Sequence, residues 1–318
     1  MKRFISVLLA ALLVLCILSG CGGEKADAPE EESAAPAGGE AAGESGDEAP
    51  AGEAEDAGPA VPYLEDAPAV SPGDVIADNE HATVSLSGYE YSMSRNFIYL
   101  DYENHDDFPH RVAFRFLCVN GLMSFTNSVP VVEPGEKREL EIMIANTYYE
   151  LDRDSIPPVS GIFAEFEIEN RDRPFDPPLI TDSFIFRPEG QESTVYYDRQ
   201  PGEKDQLICD GPEFGITAYE MTSGSAYGLT VGLFAENRCS EIRIAEAEDI
   251  RVNGTGFDNM LYIDTAPGSC AYSSLCISRD AMEEAGIAAG DVTEISGAFL
   301  IKDAEHQTVS RVPFKYVP

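Results

Sequence analysis

Four residues close together in the chain have side chains that could bind a divalent cation. The stretch NHDDFPHR (104–111) contains His105, Asp106, Asp107 and His110. Imidazole nitrogens and carboxylate oxygens are common protein ligands of zinc and calcium. The stretch also lies between two strand patterns, where polar residues are typical of a hairpin connection. We favour the hairpin interpretation, keep metal binding as a hypothesis for these four residues, and predict no cofactor.

Nucleophilic catalysis is a second kind of chemistry to consider, and the sequence does not favour it. Only two other histidines, His81 and His306, are available as a base for a Ser, Cys or Thr nucleophile. Neither lies in a G-x-S-x-G or H-E-x-x-H motif, and SGSAYG (223–228) lacks the strand-to-helix context of a nucleophile elbow. We therefore predict that the protein is not an enzyme.

The first 21 residues have the layout of a secretion signal. Two cations precede an apolar run that ends at Leu18, and Leu-Ser-Gly-Cys ends at Cys21. This ending resembles the lipobox of bacterial lipoproteins, whose cysteine carries diacylglycerol and becomes the mature N-terminus. An uncleaved transmembrane helix is the alternative, but the run is at the short limit for a span of about 20 residues. We predict a lipoprotein signal peptide over 1–21, lipidation at Cys21, and a location on the extracytoplasmic face of a bacterial cell membrane.

Residues 22–73 predict a disordered acidic tether of Ala, Gly, Pro and Glu. They hold fourteen Asp or Glu and one Lys, with few large apolar side chains to offset the entropy cost of ordering. The chain carries a net charge of −36; the signal contributes +2 and the tether −13, which leaves −25 for residues 74–318. Such a surface excludes nucleic acid as a partner and suits cations or a basic partner. A merely solvated acidic surface is the plainer interpretation.

The spacing of the cysteines limits disulfide formation. Beyond the signal and Cys21, the chain holds Cys118, Cys209, Cys239, Cys270 and Cys276. Five cysteines cannot all pair, and the last two are about 20 Å apart on one extended run. A disulfide needs Cα atoms about 4.4 to 6.8 Å apart. One bridge, from Cys239 to either of the last two, remains open, and free thiols in an exported protein indicate a reducing or anaerobic habitat.

An internal duplication organises the remainder of the chain. The segments that recur at one constant interval are VNG at 119–121 and 252–254, PG at 134–135 and 267–268, and Asn104 with Asn237. Downstream, VSGIF (159–163) matches ISGAF (295–299) after three extra residues, and DSFIFRP matches RVPFKYVP at the ends. These matches predict module 1 at 74–188, a linker at 189–206 and module 2 at 207–318. The halves share turn residues and no set of catalytic residues.

Short runs of alternating apolar and polar residues predict that both modules are built from strands. In RELEIMI, for example, Leu140, Ile142 and Ile144 share one face. VAFRFLCV and its counterpart IAEAEDIRV keep the same phase only in part, which predicts a bulge or register shift. We predict an all-β fold with two tandem sandwiches of about seven strands, immunoglobulin-like by strand count and spacing.

One short helix is expected inside module 2. In SRDAMEEAG, Asp280 is placed to cap the helix and Gly286 to end it. Residues 148–156 are the expected shorter equivalent in module 1.

The chain resembles bacterial cell-surface lipoproteins in which a lipobox and an acidic low-complexity tether precede immunoglobulin-like domains of unknown function. The resemblance implies extracytoplasmic display and no activity. Our leading hypothesis is a membrane-anchored lipoprotein whose two modules bind a surface protein or peptide, in adhesion, scaffolding or envelope sensing. The alternative is a solute- or glycan-binding receptor lipoprotein that serves a transporter. Such receptors usually have two α/β lobes, and although fourteen Tyr could stack on sugars, the chain has no Trp.

Overall fold

A computed structural model of the chain describes residues 63–91, 96–126, 128–145, 158–225 and 228–318. Within them the structure is almost entirely β, which confirms the predicted fold class. No helix in this part of the chain has the length and apolar character that a membrane crossing requires. Cys21, the signal, most of the tether and the expected helical turn at 148–156 lie outside the described residues.

Module 1 is a sandwich of two sheets. Its strands are β1 (Ala69–Val70), β2 (Val75–Asp78), β3 (Ala82–Tyr91), β4 (Asn96–Asn104), β5 (His110–Val119), β6 (Leu122–Ser124), β7 (Val131–Val132), β8 (Lys137–Met143), β9 (Ile162–Asn170) and β10 (Ile180–Phe186). One sheet has the order β2-β3-β4-β8, and the other begins β1-β10-β9-β5-β6, with β7 beside β5. Leu140 and Ile142 on β8 are fully buried in one core with Phe166 and Phe184 from the second sheet. The predicted alternation is confirmed.

Module 2 repeats this architecture around its own core. Its strands are β11 (Gln206–Asp210), β12 (Phe214–Ser225), β13 (Gly228–Asn237), β14 (Arg243–Val252), β15 (Thr255–Gly256), β16 (Tyr262–Thr265), β17 (Cys270–Ile277), β18 (Ile295–Lys302) and β19 (Thr308–Tyr316). One sheet has the order β15-β14-β18-β19 with β16 beside β14, and the other has the order β17-β13-β12-β11. Leu233 from one sheet and Phe299 from the other are fully buried in the shared core.

The predicted helix is present, but its start differs from the expectation. Helix α1 spans Arg279–Glu284, and Ser278 is its N-cap residue, so Asp280 lies in the first turn and does not cap the helix. The helix begins earlier than expected because β17 ends at Ile277, so that Ser278 alone lies between the strand and the helix. Gly286 ends the helix as predicted, with a φ of +68° that glycine adopts without strain.

The two modules share one continuous sheet, which the sequence did not predict. Strand β6 of module 1 pairs in parallel with β17 of module 2, with Leu122 opposite Cys270. This contact joins the sheet of module 1 that contains β5 and β6 to the sheet of module 2 that contains β17 and β13. The result is one sheet of ten strands. The predicted linker packs against the junction: the Tyr197 N–H donates to the Asn120 carbonyl at 2.7 Å, and the hydroxyls of Tyr197 and Tyr272 lie 2.8 Å apart. The modules are therefore coupled by pairing and by aromatic packing.

The duplicated asparagines fasten the loops of each module in the same way. The Asn120 side-chain oxygen accepts hydrogen bonds from the backbone N–H groups of Ser160 (2.8 Å) and Gly161 (3.2 Å). In module 2 the Asn253 oxygen accepts from the N–H groups of Thr293 (2.9 Å) and Glu294 (3.2 Å). These partners are separated by the same interval as the asparagines, so the duplication preserves a hydrogen-bond network as well as a turn.

This network corrects one part of the sequence alignment. Val119 pairs with Ile162, and Val252 pairs with Ile295, so the equivalent strands keep the interval of the asparagines with no insertion. The match between VSGIF and ISGAF, which needed three extra residues, is wrong. It was based on identical residue types, whereas strand pairing makes Ile162 the equivalent of Ile295. The match at the module ends is confirmed, since Phe186 faces Ile162 as Tyr316 faces Ile295.

Two further details qualify the sequence predictions. Register shifts interrupt β5 between Phe114 and Phe116 and β14 between Glu248 and Arg251, which confirms the predicted irregularity. Residues 69–70, which fall within the predicted tether, form strand β1 and pair with β10. Averaging composition over the tether hid the few apolar residues near its end that do pack.

Candidate functional site

Two of the four histidines meet at one end of module 1, on either side of Asp106. His81 lies in the turn between β2 and β3, and Asp106 lies in the connection from β4 to β5, which begins with His110. The Oδ2 atom of Asp106 is 2.9 Å from Nδ1 of His81 and 2.9 Å from Nε2 of His110. On its other side, Nδ1 of His110 is 2.7 Å from the Tyr102 hydroxyl. A hydrogen-bonded chain thus runs from the core to the surface.

Burial sets the protonation of this chain of groups. His110 is 0% exposed, and burial lowers its pKa against the opposing attraction of Asp106. Burial also raises the pKa of Tyr102, with a smaller contribution from the Asp106 charge. The Tyr102 hydroxyl therefore donates to Nδ1 of a neutral His110, whose Nε2–H donates to Asp106.

The structure brings together only part of the predicted metal set. Asp106 and His110 are joined, but His105 turns away to the Asn79 carbonyl, 3.1 Å from its Nδ1, and Asp107 is exposed. No group of three or more candidate ligands with metal-binding geometry occurs among the described residues. The polar residues of the cluster hold the connection in place through internal hydrogen bonds.

Sequence reasoning missed His81 and Tyr102 as members of this cluster. The missing information was the register of the β3–β4 pair. Ala82 pairs with Asn104, so His81, just before β3, lies beside His105, just after β4. The His105 N–H accordingly donates to the His81 carbonyl at 2.9 Å. An alignment of the two strand patterns against each other would have suggested the contact.

Module 2 has different chemistry at the position equivalent to His110. Arg243 begins β14 as His110 begins β5, and it is 4% exposed. Its guanidinium donates to carboxylates of Glu213 at 2.8 Å and Glu241 at 3.0 Å. Both modules thus place a buried polar side chain at the start of the equivalent strand, but the cluster of histidines occurs in module 1.

The β9–β10 loop at the same end of module 1 presents an aromatic ring to solvent. Phe175 is 99% exposed. Backbone hydrogen bonds brace the loop, from the N–H of Arg173 to the Asn170 carbonyl (3.0 Å) and from that of Asp176 to the Arg173 carbonyl (3.1 Å). Three prolines further restrict its backbone. The phenyl ring is therefore held out from the surface by a constrained loop.

A cleft of about 800 Å³ lies between α1 and the β14–β15 hairpin of module 2. A smaller hollow of about 350 Å³ adjoins it and shares Asp258 and Ser278 as lining residues. Phe257, Ala281 of α1 and Ala285, which follows the helix, give the larger cleft apolar surface, while carboxylates lie along it. Met260, which is 68% exposed, lines the smaller part.

All five cysteines of the described chain are free thiols, so the bridge left open by the sequence is not formed. Cys118 and Cys209 are buried. Burial raises the pKa of Cys118 well above its ordinary value and raises that of Cys209 to about 11. Their thiolate forms are disfavoured, which makes these two sulfur atoms poor nucleophiles.

No protein-family model matches the chain, and no curated protein matches it in sequence. Among solved structures, the YadV chaperone matches at 10% identity and a TM-score of 0.23, over 74% of this chain and 99% of that chain. A chain from the complex of Salmonella enterica SafA pilin with the SafB chaperone matches at 13% and 0.23, over 79% and 100%. A protein of unknown function from Porphyromonas gingivalis matches at 11% and 0.19, over 78% and 98%. TM-scores of this size carry no argument, and the strand pairing itself defines the fold.

Proposed function

We propose that the protein is a non-enzymatic lipoprotein, anchored through Cys21 to the extracytoplasmic face of a bacterial membrane, whose joined sandwiches bind a protein or peptide partner. The shared sheet supports this proposal because it holds the surfaces of both modules in one arrangement. The histidine cluster supports it as well, since both ring nitrogens of His110 are engaged in internal hydrogen bonds. A two-lobed solute receptor is less compatible with the nearly all-β structure of the described residues.

The observation that carries the proposal is the exposure of Phe175. Burying a phenylalanine side chain stabilises a folded protein or complex by about 1.5–3 kcal/mol. Because the Phe175 side chain is 99% exposed, nearly all of this free energy can be gained when a partner buries the ring. The braced loop also lowers the entropy cost of fixing the ring in a partner's pocket. A protein pocket or groove lined with apolar side chains is the occupant that this geometry suits.

Site-specific photocrosslinking in the native envelope tests the proposal. Photoreactive p-benzoylphenylalanine replaces Phe175 in one variant and Val309, which is 49% exposed on β19, in the control. A discrete crosslinked species at position 175 but not at 309 supports a specific partner surface. The same species at both positions, or none at 175, contradicts it. Phe175→Ser should compete poorly for the partner while leaving the thermal unfolding curve unchanged, because the ring makes almost no contact within the chain.

A further inference from the structure

We infer that the cleft of module 2 binds a basic, extended segment of the partner, with Lys or Arg side chains of that segment reaching the cleft carboxylates. This inference rests on the proposed function and identifies a second contact surface for it. The cleft volume of about 800 Å³ falls within the range of about 300–1,000 Å³ typical of ligand sites. Exposure of Asp258, Ser278 and Glu284 along the cleft leaves it accessible to a chain lying across the surface.

The charges of the cleft favour a cation. Asp258 belongs to both parts of the cleft, and Asp280 and Glu284 extend from α1. Within the described part of the chain these three carboxylates have no ion pair, whereas the nearby Asp249 is neutralised by Arg311 at 2.9 Å. Arg251 and Arg279 also line the cleft, so four carboxylates stand against two guanidinium groups and the lining keeps a negative net charge. The guanidinium of Arg251 lies 3.3 Å from the Gly254 carbonyl.

Apolar surface beside the carboxylates matches the form of a Lys or Arg side chain. The aliphatic stem of either residue can lie on Phe257 and the exposed Met260 while its charged end stays with the carboxylates. An ammonium or guanidinium that donates to a carboxylate forms a charge-assisted hydrogen bond, which is stronger than a neutral one. Metal ions would not use the apolar part of the cleft.

The chain itself does not provide this segment. Its tether holds fourteen acidic residues and one Lys, so the acidic cleft repels it. A second copy is equally disfavoured, because the whole chain has a net charge of −36. Charge complementarity therefore selects a different, basic protein as the occupant.

Fluorescence anisotropy with the full chain and a labelled, end-blocked peptide of alternating lysine and leucine tests the inference. The double variant Asp258→Asn/Glu284→Gln should weaken binding about five- to twentyfold, as expected for losing two partly solvated ion pairs. Glu189→Gln/Glu203→Gln removes the same charge from exposed positions outside the cleft and should change the affinity less than about twofold. Met260→Ser should weaken binding without changing its salt dependence. All the substituted side chains are exposed, and circular dichroism checks that each variant folds.

Three results would overturn the inference: no binding of the basic peptide, equal losses in the cleft and control variants, or equal binding of a peptide of alternating glutamate and leucine. The two proposals fail separately. A partner captured at Phe175 without peptide binding removes the cleft and leaves the proposed function. Peptide binding without any captured partner removes the proposed function.

Discussion

Replacing Asn120 and Asn253 in turn tests how the duplicated VNG segment stabilises each module. The two residues have φ angles of +53° and +50°. Their side chains make matching bonds: each oxygen accepts from two successive backbone N–H groups and one hydroxyl, and each amide donates to a carbonyl. Their surroundings differ, because Asn120 is 0% exposed and Asn253 is exposed. The protein thus contains the same hydrogen-bond network once in a buried position and once in a solvent-exposed position.

The expected cost follows from what each substitution leaves unpaired. Glycine adopts positive φ without strain, so Asn→Gly removes the side-chain bonds alone. A buried donor left without a partner costs about 1–3 kcal/mol, whereas a bond replaced by water costs about 0.5–1.5 kcal/mol or less. At Asn120 the N–H groups of Ser160 and Gly161 lose a buried acceptor, and we expect a loss of about 3–4 kcal/mol. At Asn253 water replaces the acceptor, and we expect about 1 kcal/mol.

Two measurements check these magnitudes on the full chain. Urea denaturation followed by far-ultraviolet circular dichroism gives the change in unfolding free energy. Hydrogen exchange read by mass spectrometry locates it, because Asn120→Gly should expose amides at 159–162 and Asn253→Gly those at 292–295. Asn→Ala variants should each lose about 1–2 kcal/mol more, since alanine is strained at positive φ. Equal losses for the two Gly variants would refute the argument that burial sets the cost.

Three further predictions concern other parts of the chain. Cys21→Ser should abolish lipid attachment, so a processed variant that still partitions into detergent would contradict the lipobox. Because burial lowers the pKa of His110, the unfolded chain binds a proton that the folded chain does not, and the unfolding free energy should fall as pH drops below about 6.5. Denaturation between pH 7.5 and 5 should show this slope, and His110→Gln should flatten it. Tyr197→Phe should cost about 0.5–1.5 kcal/mol by removing its 2.8 Å hydrogen bond with the Tyr272 hydroxyl. Because Arg199 also contacts that hydroxyl, Tyr272→Phe should cost more, and the double variant should lose less than the sum of the two single losses.

Local patterns predicted those parts of the fold that depend on one strand and its two faces. A period of two identified Leu140, Ile142 and Ile144, all of which are buried. The shared sheet was not predictable in this way, because β6 has three residues and its partner in module 2 lies far along the chain. Pairing of such a short strand depends on tertiary packing, and no local pattern records it.

The candidate site was predicted in part for the same reason. Asp106 and His110 are neighbours in sequence, so one short stretch revealed both. His81 and Tyr102 join them only through the pairing of β3 with β4 and through the return of the chain into β5. Composition and motif spacing carry no information on such contacts unless the register of the strands is known.

The comparison of the two modules indicates where a function that needs specific residues can lie. Asn120 and Asn253 bond to backbone groups at equivalent positions of the two modules. The two copies therefore share the hydrogen bonds that hold the loops of the fold. The two modules differ at the position of His110, where module 2 has Arg243; the charge differs there although the position is buried in both. Features found on one module only, such as the Phe175 loop, are free of that constraint. Because the shared sheet fixes one module against the other, two unlike surfaces can contact one partner at a set spacing, which a flexible linker would not provide.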